Sequence, residues 1–475
     1  MNESVTVAAI DLGATSGRVM AGRVGPDELR VRQMARFPNG PVALPDGLHW
    51  DVQALFRAAQ AGLRDAASWA GDISSIGIDS WAVDYALLRG SRVLGEPFHY
   101  RDERSGRGVD TVHAKVPFTD LYARNGLQFL PFNSVYQLAA EDPAMLAVAD
   151  KVLLVPDLVA FYLTGATVSE RTNASTTGLL NVTTGQWDTD LLHTLGLNPA
   201  LLPALVEPGD RIGPLLPAVL EATGLSGNAQ VTAVGSHDTA SAVVATPMRE
   251  QGGAYISCGT WGLVGVETET PVLSDAARAA NFTNEGGVDG RTRFLHNVMG
   301  LWLLSESIRT WERDGTTIEL ERLLAEAVAV GPDMPVFDAT DEAFLAPGDM
   351  PARIAQWLSE RGLRVPHTRA ETTRSIIESL AKAFADAVRM ASDLSGQAVD
   401  TIHITGGGSL NALLCQRTAD YAGLRVVAGP VEATALGNVV VQARAEGATG
   451  ATLESMRDLV ARTTELHTYE PRSNS

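Results

Sequence analysis

The chain has 475 residues, of which 45% are hydrophobic and 20% charged, and a formal net charge of −19. That length asks for two or three domains, and the composition excludes disorder. The acidic balance excludes a broad nucleic-acid or anionic-membrane surface, yet leaves room for a small anion held by backbone N–H groups and one or two local cations. Two cysteines, Cys258 and Cys415, are too few for a disulfide framework and have no nearby histidine in metal-ligand spacing. The opening MNESVTVAAID carries an acid and no basic n-region, and no apolar run approaches ~18 residues. A soluble cytoplasmic protein, monomer or homodimer, is expected.

Residues 5–10 and 18–24 read as two strands flanking the loop ATSG. In the first, both alternating sets (Val5/Val7/Ala9 and Thr6/Ala8/Ile10) are small or apolar, as in a strand covered on both faces. DVQALFRAAQAGLRDAA is an amphipathic helix with Val52, Leu55, Phe56, Ala59 and Leu63 on one face and Asp51 placed to cap it. ISSIGIDSW and VDYALL are two short strands, and Asp84, Arg101 and Asp102 read as surface residues after them. KVLLVPDLVAFYLTG is a strand or a buried helix, closed by Gly165.

VTAVGSHDTASAVVA predicts a strand, a tight loop and a helix. GAYISCGTWGLVGVET then restarts the opening pattern of strand, hydroxyl-bearing loop and strand, which predicts two related lobes, 1–245 and 246–475, divided near Pro247. HNVMGLWLL opens a helix with Asn297 in its first turn. A long amphipathic helix, TTRSIIESLAKAFADAVRMAS, leads into VDTIHITGGGSLNALLCQRTADYAGLRVVAG, a strand–glycine loop–helix–strand unit.

The loops suggest phosphate chemistry. DLGATSGR is neither a Walker A loop nor GxGxxG. Gly13 and Gly17 nevertheless admit a close backbone approach, Thr15 and Ser16 offer hydroxyls, and Arg18 offers a fork of N–H donors. Asp11 beside such a loop suits Mg²⁺, which would bridge phosphate oxygens; a plain glycine hairpin is the competing reading. SCGTWG keeps Ser257, Gly259 and Thr260 without the acid. Asp238, in GSHDTASA, sits at a predicted helix N-terminus that favours its carboxylate, either as a cap or as the base that takes a hydroxyl proton. His237 can bond a substrate hydroxyl or merely pack. Gly406, Gly407 and Gly408 allow close approach to adenine or ribose, which Asn411 would read.

DLGATSGR, GSHDTASA, SCGTW, GGGSLN and GPVEATALGN together resemble the carbohydrate kinases of the FGGY family, over about residues 5–465. The resemblance implies an α/β fold of two ribonuclease-H-like lobes, as in actin-like ATPases, with a central cleft. It implies that the first lobe binds sugar and carries the first phosphate hairpin and the catalytic Asp, and that the second carries the other hairpin and the adenosine site. IGIDSWAVDYALL, QFLPFNSVYQL, NEGG and NVMGLWLL narrow the expected reaction to ATP-dependent phosphorylation of the 1-hydroxyl of L-rhamnulose, with L-fuculose or L-xylulose as alternatives. By motif, Asp238 is the base, Asp11 organises Mg²⁺, and Ala14, Thr15, Ser16, Gly17, Arg18 and Thr260 meet ATP phosphates. Gly406, Gly407, Gly408 and Asn411 meet the adenosine; Ala82, His237, Asp238, Thr239 and Asn297 meet the ketose. Ala82 stands where many relatives have Gly, and Ser305 where a longer amide would reach the nucleotide. A chaperone or filament protein on the same lobes is the reading from another class; SHDTASA, which serves a sugar hydroxyl, speaks against it.

Overall fold

The computed structural model describes residues 4–248, 252–331 and 333–472. It divides into two compact units: Met1–Pro247 with Glu267–Phe294 and Ala433–Thr463, and Met248–Val266 with Leu295–Glu432 and Thr464–Ser475. The first break lies beside the boundary near Pro247. Two segments from the second half of the sequence, 267–294 and 433–463, nevertheless pack with the first unit. Ion pairs join the two segments to each other: Arg444 Nη1 donates to both carboxylate oxygens of Asp289 at 2.8 and 2.7 Å, and Arg457 Nη2 donates to Glu267 at 2.6 Å. Arg457 Nη2 also donates to the Val243 carbonyl at 3.1 Å, which ties them to the first 247 residues.

The first unit is built on a six-stranded sheet ordered Arg211–Pro214, Gln230–Thr232, Ser75–Ser80, Val5–Leu12, Ser16–Gly25, Glu28–Pro38. Val5–Leu12 runs antiparallel to Ser16–Gly25 and parallel to Ser75–Ser80, which is itself parallel to Gln230–Thr232. The doubly apolar pattern of the first strand has the expected cause. Ala8, Ile10 and Leu12 join a core with Leu55, Ala59 and Leu63 of the helix Val52–Ala70 and with Leu158 and Leu163 of the helix Val155–Thr164. Val7 and Ala9 join a second core with Leu436, Val439 and Val440 of the helix Ala433–Ala445. Helices therefore cover both faces, and the period of two puts Asp11 on the face that meets Ala433–Ala445. Asp51 caps its helix by accepting from Ala54 N at 2.9 Å. The ambiguous KVLLVPDLVAFYLTG is both things in turn: strand Lys151–Leu154, then helix Val155–Thr164 ended by left-handed Gly165.

In the second unit, Gly253–Cys258 is antiparallel to Trp261–Thr268 and parallel to Thr401–Thr405. Thr401–Thr405 is parallel to Arg425–Ala428, which pairs antiparallel with His467–Tyr469. Thr292–Met299 lies outside Trp261–Thr268. From Thr292–Met299 to His467–Tyr469, six of the sheet's seven strands repeat the strand order of the first unit, antiparallel edge strand included. The duplication that the two hairpins suggest is thus carried by topology, as in ribonuclease-H-like folds. Among the described residues no helix is long and apolar enough to cross a membrane.

Candidate active site

Asp238 is the first residue of the short helix Asp238–Val244, whose N-cap is His237. It does not act as the cap. Its side chain is 34% exposed and accepts a hydrogen bond from Thr239 Oγ1 at 3.0 Å. The hydroxyl of Thr239, expected to meet the sugar, is therefore engaged with Asp238. The loop that delivers Asp238 is held from behind by Glu170, which accepts from Ser236 N at 3.0 Å, Ser236 Oγ at 2.7 Å and Thr172 Oγ1 at 2.6 Å. Burial raises the Glu170 carboxyl above its usual range, against these donors. Ser80 N donates to the Ser236 carbonyl at 2.9 Å, so the end of Ser75–Ser80 fixes the same loop. The helix itself packs closely on Ala433–Ala445, because a Cβ on Gly437 would stand 1.8 Å from the Ser241 carbonyl oxygen.

His237 contacts Glu285, the acid of the NEGG motif, and Arg293, neither of which has a role in the sequence reading. Its Nε2 lies 3.4 Å from Asp238 Oδ1, and its Nδ1 lies 3.0 Å from Arg293 Nη2 and 3.3 Å from Glu285 Oε2. Only the subsidiary motif NEGG touched this region of the sequence.

Asp11 is buried and paired with Arg18, whose Nε donates to Oδ2 at 2.8 Å. The fork of Arg18, expected to point at phosphate, is thus committed at Nε to the acid it follows. Between them the loop turns tightly: Gly13 N donates to the Ser16 carbonyl at 3.0 Å, and Asn39 braces it by donating Nδ2 to the Gly13 carbonyl at 2.8 Å and N to the Thr15 carbonyl at 3.1 Å. Thr15 is exposed, Ala14 and Ser16 partly so. Gly17 is there for packing, since its Cβ would lie 2.2 Å from the Phe37 ring.

Beside Asp11 stands Asp79, an acid that the sequence reading missed. The two are register partners on adjacent parallel strands. Asp79 is fully buried; Oδ2 accepts from Asn438 Nδ2 at 2.5 Å, and Oδ1 has no hydrogen-bond partner. Burial first, and then the neighbouring Asp11 charge, hold its carboxyl well above the usual range, with Asn438 pulling it down. Among the described residues no group of three His, Cys, Asp or Glu side chains could hold a metal ion. Mg²⁺ does not need one, because it keeps several waters and is bound through one or two carboxylates and the substrate phosphates. The Asp11–Asp79 pair, with one orphaned buried oxygen, fits that demand.

Ala82 precedes a strained residue. Val83 has φ 68°, a left-handed conformation that β-branched residues avoid. Ser134 Oγ donates to its carbonyl at 2.5 Å. Asp84 next to it is not on the surface, as its sequence neighbours suggested, but 1% exposed. It accepts from Trp50 Nε1 at 2.6 Å, Trp81 Nε1 at 3.1 Å, Tyr100 N at 3.1 Å and Gln137 Nε2 at 2.8 Å. Burial pushes its carboxyl up to about 7 despite these four donors. Trp50 is sandwiched between Trp81 and His99, with ring centroids 4.1 Å away on each side.

In the second unit, Thr260 occupies the tight turn of the second hairpin. Its carbonyl accepts from Gly300 N and Trp302 N, both at 3.2 Å. Asn297 lies on the strand Thr292–Met299 rather than in a first helical turn; the helix begins at Trp302. Ser305 is exposed on that helix. The three glycines separate by role. A Cβ on Gly406 would stand 2.9 Å from the Cys258 carbonyl oxygen, and one on Gly408 2.3 Å from Cys258 Sγ. Gly407 has only Leu301 Cδ1, at 3.9 Å. Of the three, Gly407 alone leaves room for a ligand. Asn411 caps the helix Ala412–Ala422, accepting from Leu414 N at 3.1 Å.

Residues 6–245 match the N-terminal domain of the FGGY family of carbohydrate kinases, and residues 254–446 match its C-terminal domain. The chain belongs to the FGGY family. It is 40% identical over 468 residues to a rhamnulokinase of Bacteroides thetaiotaomicron, covering 98% of this chain and 95% of that protein. A rhamnulokinase of Pectobacterium carotovorum is 41% identical over 476 residues, 99% of this chain and 94% of that one. The fold is that of solved sugar kinases: xylulose kinase from Rhodospirillum rubrum (TM-score 0.79, 20% identity, 98% and 94% covered) and Plasmodium falciparum glycerol kinase with ADP (TM-score 0.80, 16% identity, 99% and 94% covered). This FGGY chain is a sugar kinase, and the chaperone or filament reading falls away.

Proposed function

We propose that the chain transfers the γ-phosphoryl group of ATP to the 1-hydroxyl of L-rhamnulose, giving L-rhamnulose 1-phosphate and ADP. The observation that carries the reading is Asp238: a partly exposed carboxylate, not spent on capping its helix, on a loop fixed by Glu170 and Ser80. Phosphoryl transfer runs through a loose transition state, so the acceptor hydroxyl needs orientation and late proton removal rather than a strong base. Asp238 takes that proton as the new O–P bond forms and the bond to the ADP oxygen breaks. The full-length likeness to proteins named rhamnulokinase supports the choice of ketose.

The remaining roles follow the motifs. Residues 14–17 and Thr260 meet the ATP phosphates, and Gly407 the adenosine with Gly406 and Gly408 shaping its loop. Asn411 shapes that loop by capping the helix behind it. Ala82, His237, Thr239 and Asn297 line the sugar side. Asp11 and Asp79 would hold Mg²⁺, which supplies charge neutralisation at the phosphates when bound. Arg18 keeps the Asp11 carboxylate in place. ATP as donor puts the reaction in the cytoplasm.

The test is ADP release with Mg·ATP and, in parallel, L-rhamnulose, L-fuculose, L-xylulose and glycerol. A kcat/KM for rhamnulose well above the others is expected. Preference for another ketose would replace the substrate and keep the machinery, and release independent of any sugar would end the reading.

A further inference from the structure

Arg293 is wholly buried, and its position is fixed along its length. It lies on the strand Thr292–Met299, joined to Thr283–Gly286 by a turn in which Gly287 N donates to the Arg291 carbonyl at 2.7 Å. Its Nε donates to the Gly286 carbonyl at 2.9 Å, and its Nη2 lies 3.1 Å from Glu285 Oε2 and 3.0 Å from His237 Nδ1. Nη1 is buried with no hydrogen-bond partner, a cost that packing alone does not explain.

A guanidinium only donates. At 3.0 Å it makes His237 Nδ1 an acceptor, so the ring proton sits on Nε2, the nitrogen 3.4 Å from Asp238 Oδ1. Glu285, also facing Nδ1, would by itself draw a second proton onto the ring; Arg293 compensates its charge and occupies the lone pair. The groups around the ring are thus Glu285 and Arg293 on one side and Asp238 on the other, with Glu170 one residue behind through Ser236.

We propose that Arg293 and Glu285 are positioning residues that act through His237: they keep its imidazole neutral with the proton on Nε2, so that Asp238 faces a neutral donor and stays free to take the sugar's proton. An imidazolium in that place would attract the Asp238 lone pairs and weaken it as a base. This rests on Asp238 as the base, and the experiment separates the two.

The measurement is kcat for L-rhamnulose with saturating Mg·ATP from pH ~5.5 to ~9, the span over which histidines titrate. Arg293→Met leaves Glu285 facing Nδ1 unopposed. Its kcat is expected to fall ~10-fold or more at pH ~6 relative to its own value at pH ~9, beyond any fall in the wild type. Arg293→Met/Glu285→Gln removes both charges and is expected to bring that ratio back to within ~3-fold of wild type. A loss equal at every pH, or a double variant with the same acid loss as the single, overturns the proposal. Should Arg293→Met not fold, Glu285→Gln decides: its ratio is expected not to drop below wild type, and a drop overturns the proposal. Asp238→Asn is run alongside. Near-normal turnover there removes the base and this inference together; a collapsed Asp238→Asn beside a pH-independent Arg293→Met removes only the inference.

Discussion

Asp11 and Asp79 stand abreast on adjacent parallel strands, and the helix Ala433–Ala445 closes over the second of them through Asn438. Gly77, two residues before Asp79 on the same face, makes this possible: a Cβ there would lie 2.3 Å from Asn438 Oδ1 and 2.7 Å from Gln442 Nε2. Asn438 in turn accepts from Gln442 Nε2 at 2.6 Å, and Gln442 also donates to the Ala8 carbonyl at 3.0 Å. The chain has thus kept two buried acids side by side, with one oxygen of Asp79 unmatched. Arg18 is paired with Asp11, and the unmatched oxygen of Asp79 is costly unless a further cation is due there.

Asp79→Asn tests this. The amide keeps a group of the same size against Asn438 and removes a carboxyl whose ionised form burial and the Asp11 charge disfavour. Without metal the variant is expected to melt no lower than wild type, while the Mg²⁺ concentration giving half-maximal turnover rises ~10-fold or more. A variant whose Mg²⁺ dependence matches wild type would release Asp79 from the metal and leave Asp11 alone in that role.

Asp238→Asn is expected to bind Mg·ATP as wild type does and to lose at least ~10² in kcat, since the acceptor proton then has no fixed carboxylate to go to. Equilibrium nucleotide binding together with steady-state turnover separates the two quantities. Turnover within a few-fold of wild type would take the base role from this residue.

Asp84 gives a stability prediction with a definite sign. Its folded carboxyl titrates at about 7, above the ordinary value of 3.8. Between those two values the native chain holds a proton that the unfolded chain has released, so stability falls as pH rises through that window and is flat above it. The fall attributable to this one group is at most about 4 kcal/mol. Asp84→Asn cannot titrate, so its pH dependence should lack that fall. It also turns an NH₂ toward the Gln137 amide and loses an acceptor, which costs ~1–3 kcal/mol throughout. Denaturant midpoints at pH ~5 and ~8 check both parts: the gap between variant and wild type should be wider at pH ~5. Parallel curves would mean that Asp84 keeps its charge across the window.

What was legible in the sequence was whatever depends on near neighbours. The hairpins, the capped helix after Asp51 and the strand before GGGSLN were all readable because apolar periodicity and turn residues act over a few positions. The two hairpins pointed to a repeat, while the strand order itself comes from pairings between segments far apart in sequence, such as Gly253–Cys258 with Thr401–Thr405. Asn297 was misplaced because HNVMGLWLL is apolar at both helical and strand spacing; the break comes at Gly300, where a Cβ would lie 2.6 Å from the Trp261 backbone. Asp79, Glu170, Glu285 and Arg293 could not be found by spacing. Their partners are distant in sequence, Asn438 for Asp79 and Ser236 for Glu170, and a buried charged residue in a strand looks like an exposed one until the fold supplies its partner. The same holds for Asp84, whose donors come from Trp50, Tyr100 and Gln137.

The glycine triplet allows the packing and ligand roles of adjacent residues to be pulled apart. Gly406 has φ 77°, and both it and Gly408 would drive a Cβ into Cys258, whose side chain is buried. Alanine at 408 must displace Cys258 Sγ from a close-packed interior, and ~1–3 kcal/mol of destabilisation is expected from such overpacking. Gly407 has no positive φ and meets nothing nearer than 3.9 Å, so alanine there should leave the melting temperature within a degree or two of wild type, a shift worth less than ~1 kcal/mol. If the adenosine lies against this loop, the added methyl stands where the nucleotide approaches, and KM for ATP should rise several-fold with the KM for sugar unchanged. The two alanine variants are then opposite in kind: Gly408→Ala loses stability, and Gly407→Ala loses ATP affinity in a protein that melts normally. Nucleotide affinity intact in Gly407→Ala would move the adenosine off the loop and leave Gly406 and Gly408 to the packing of Cys258.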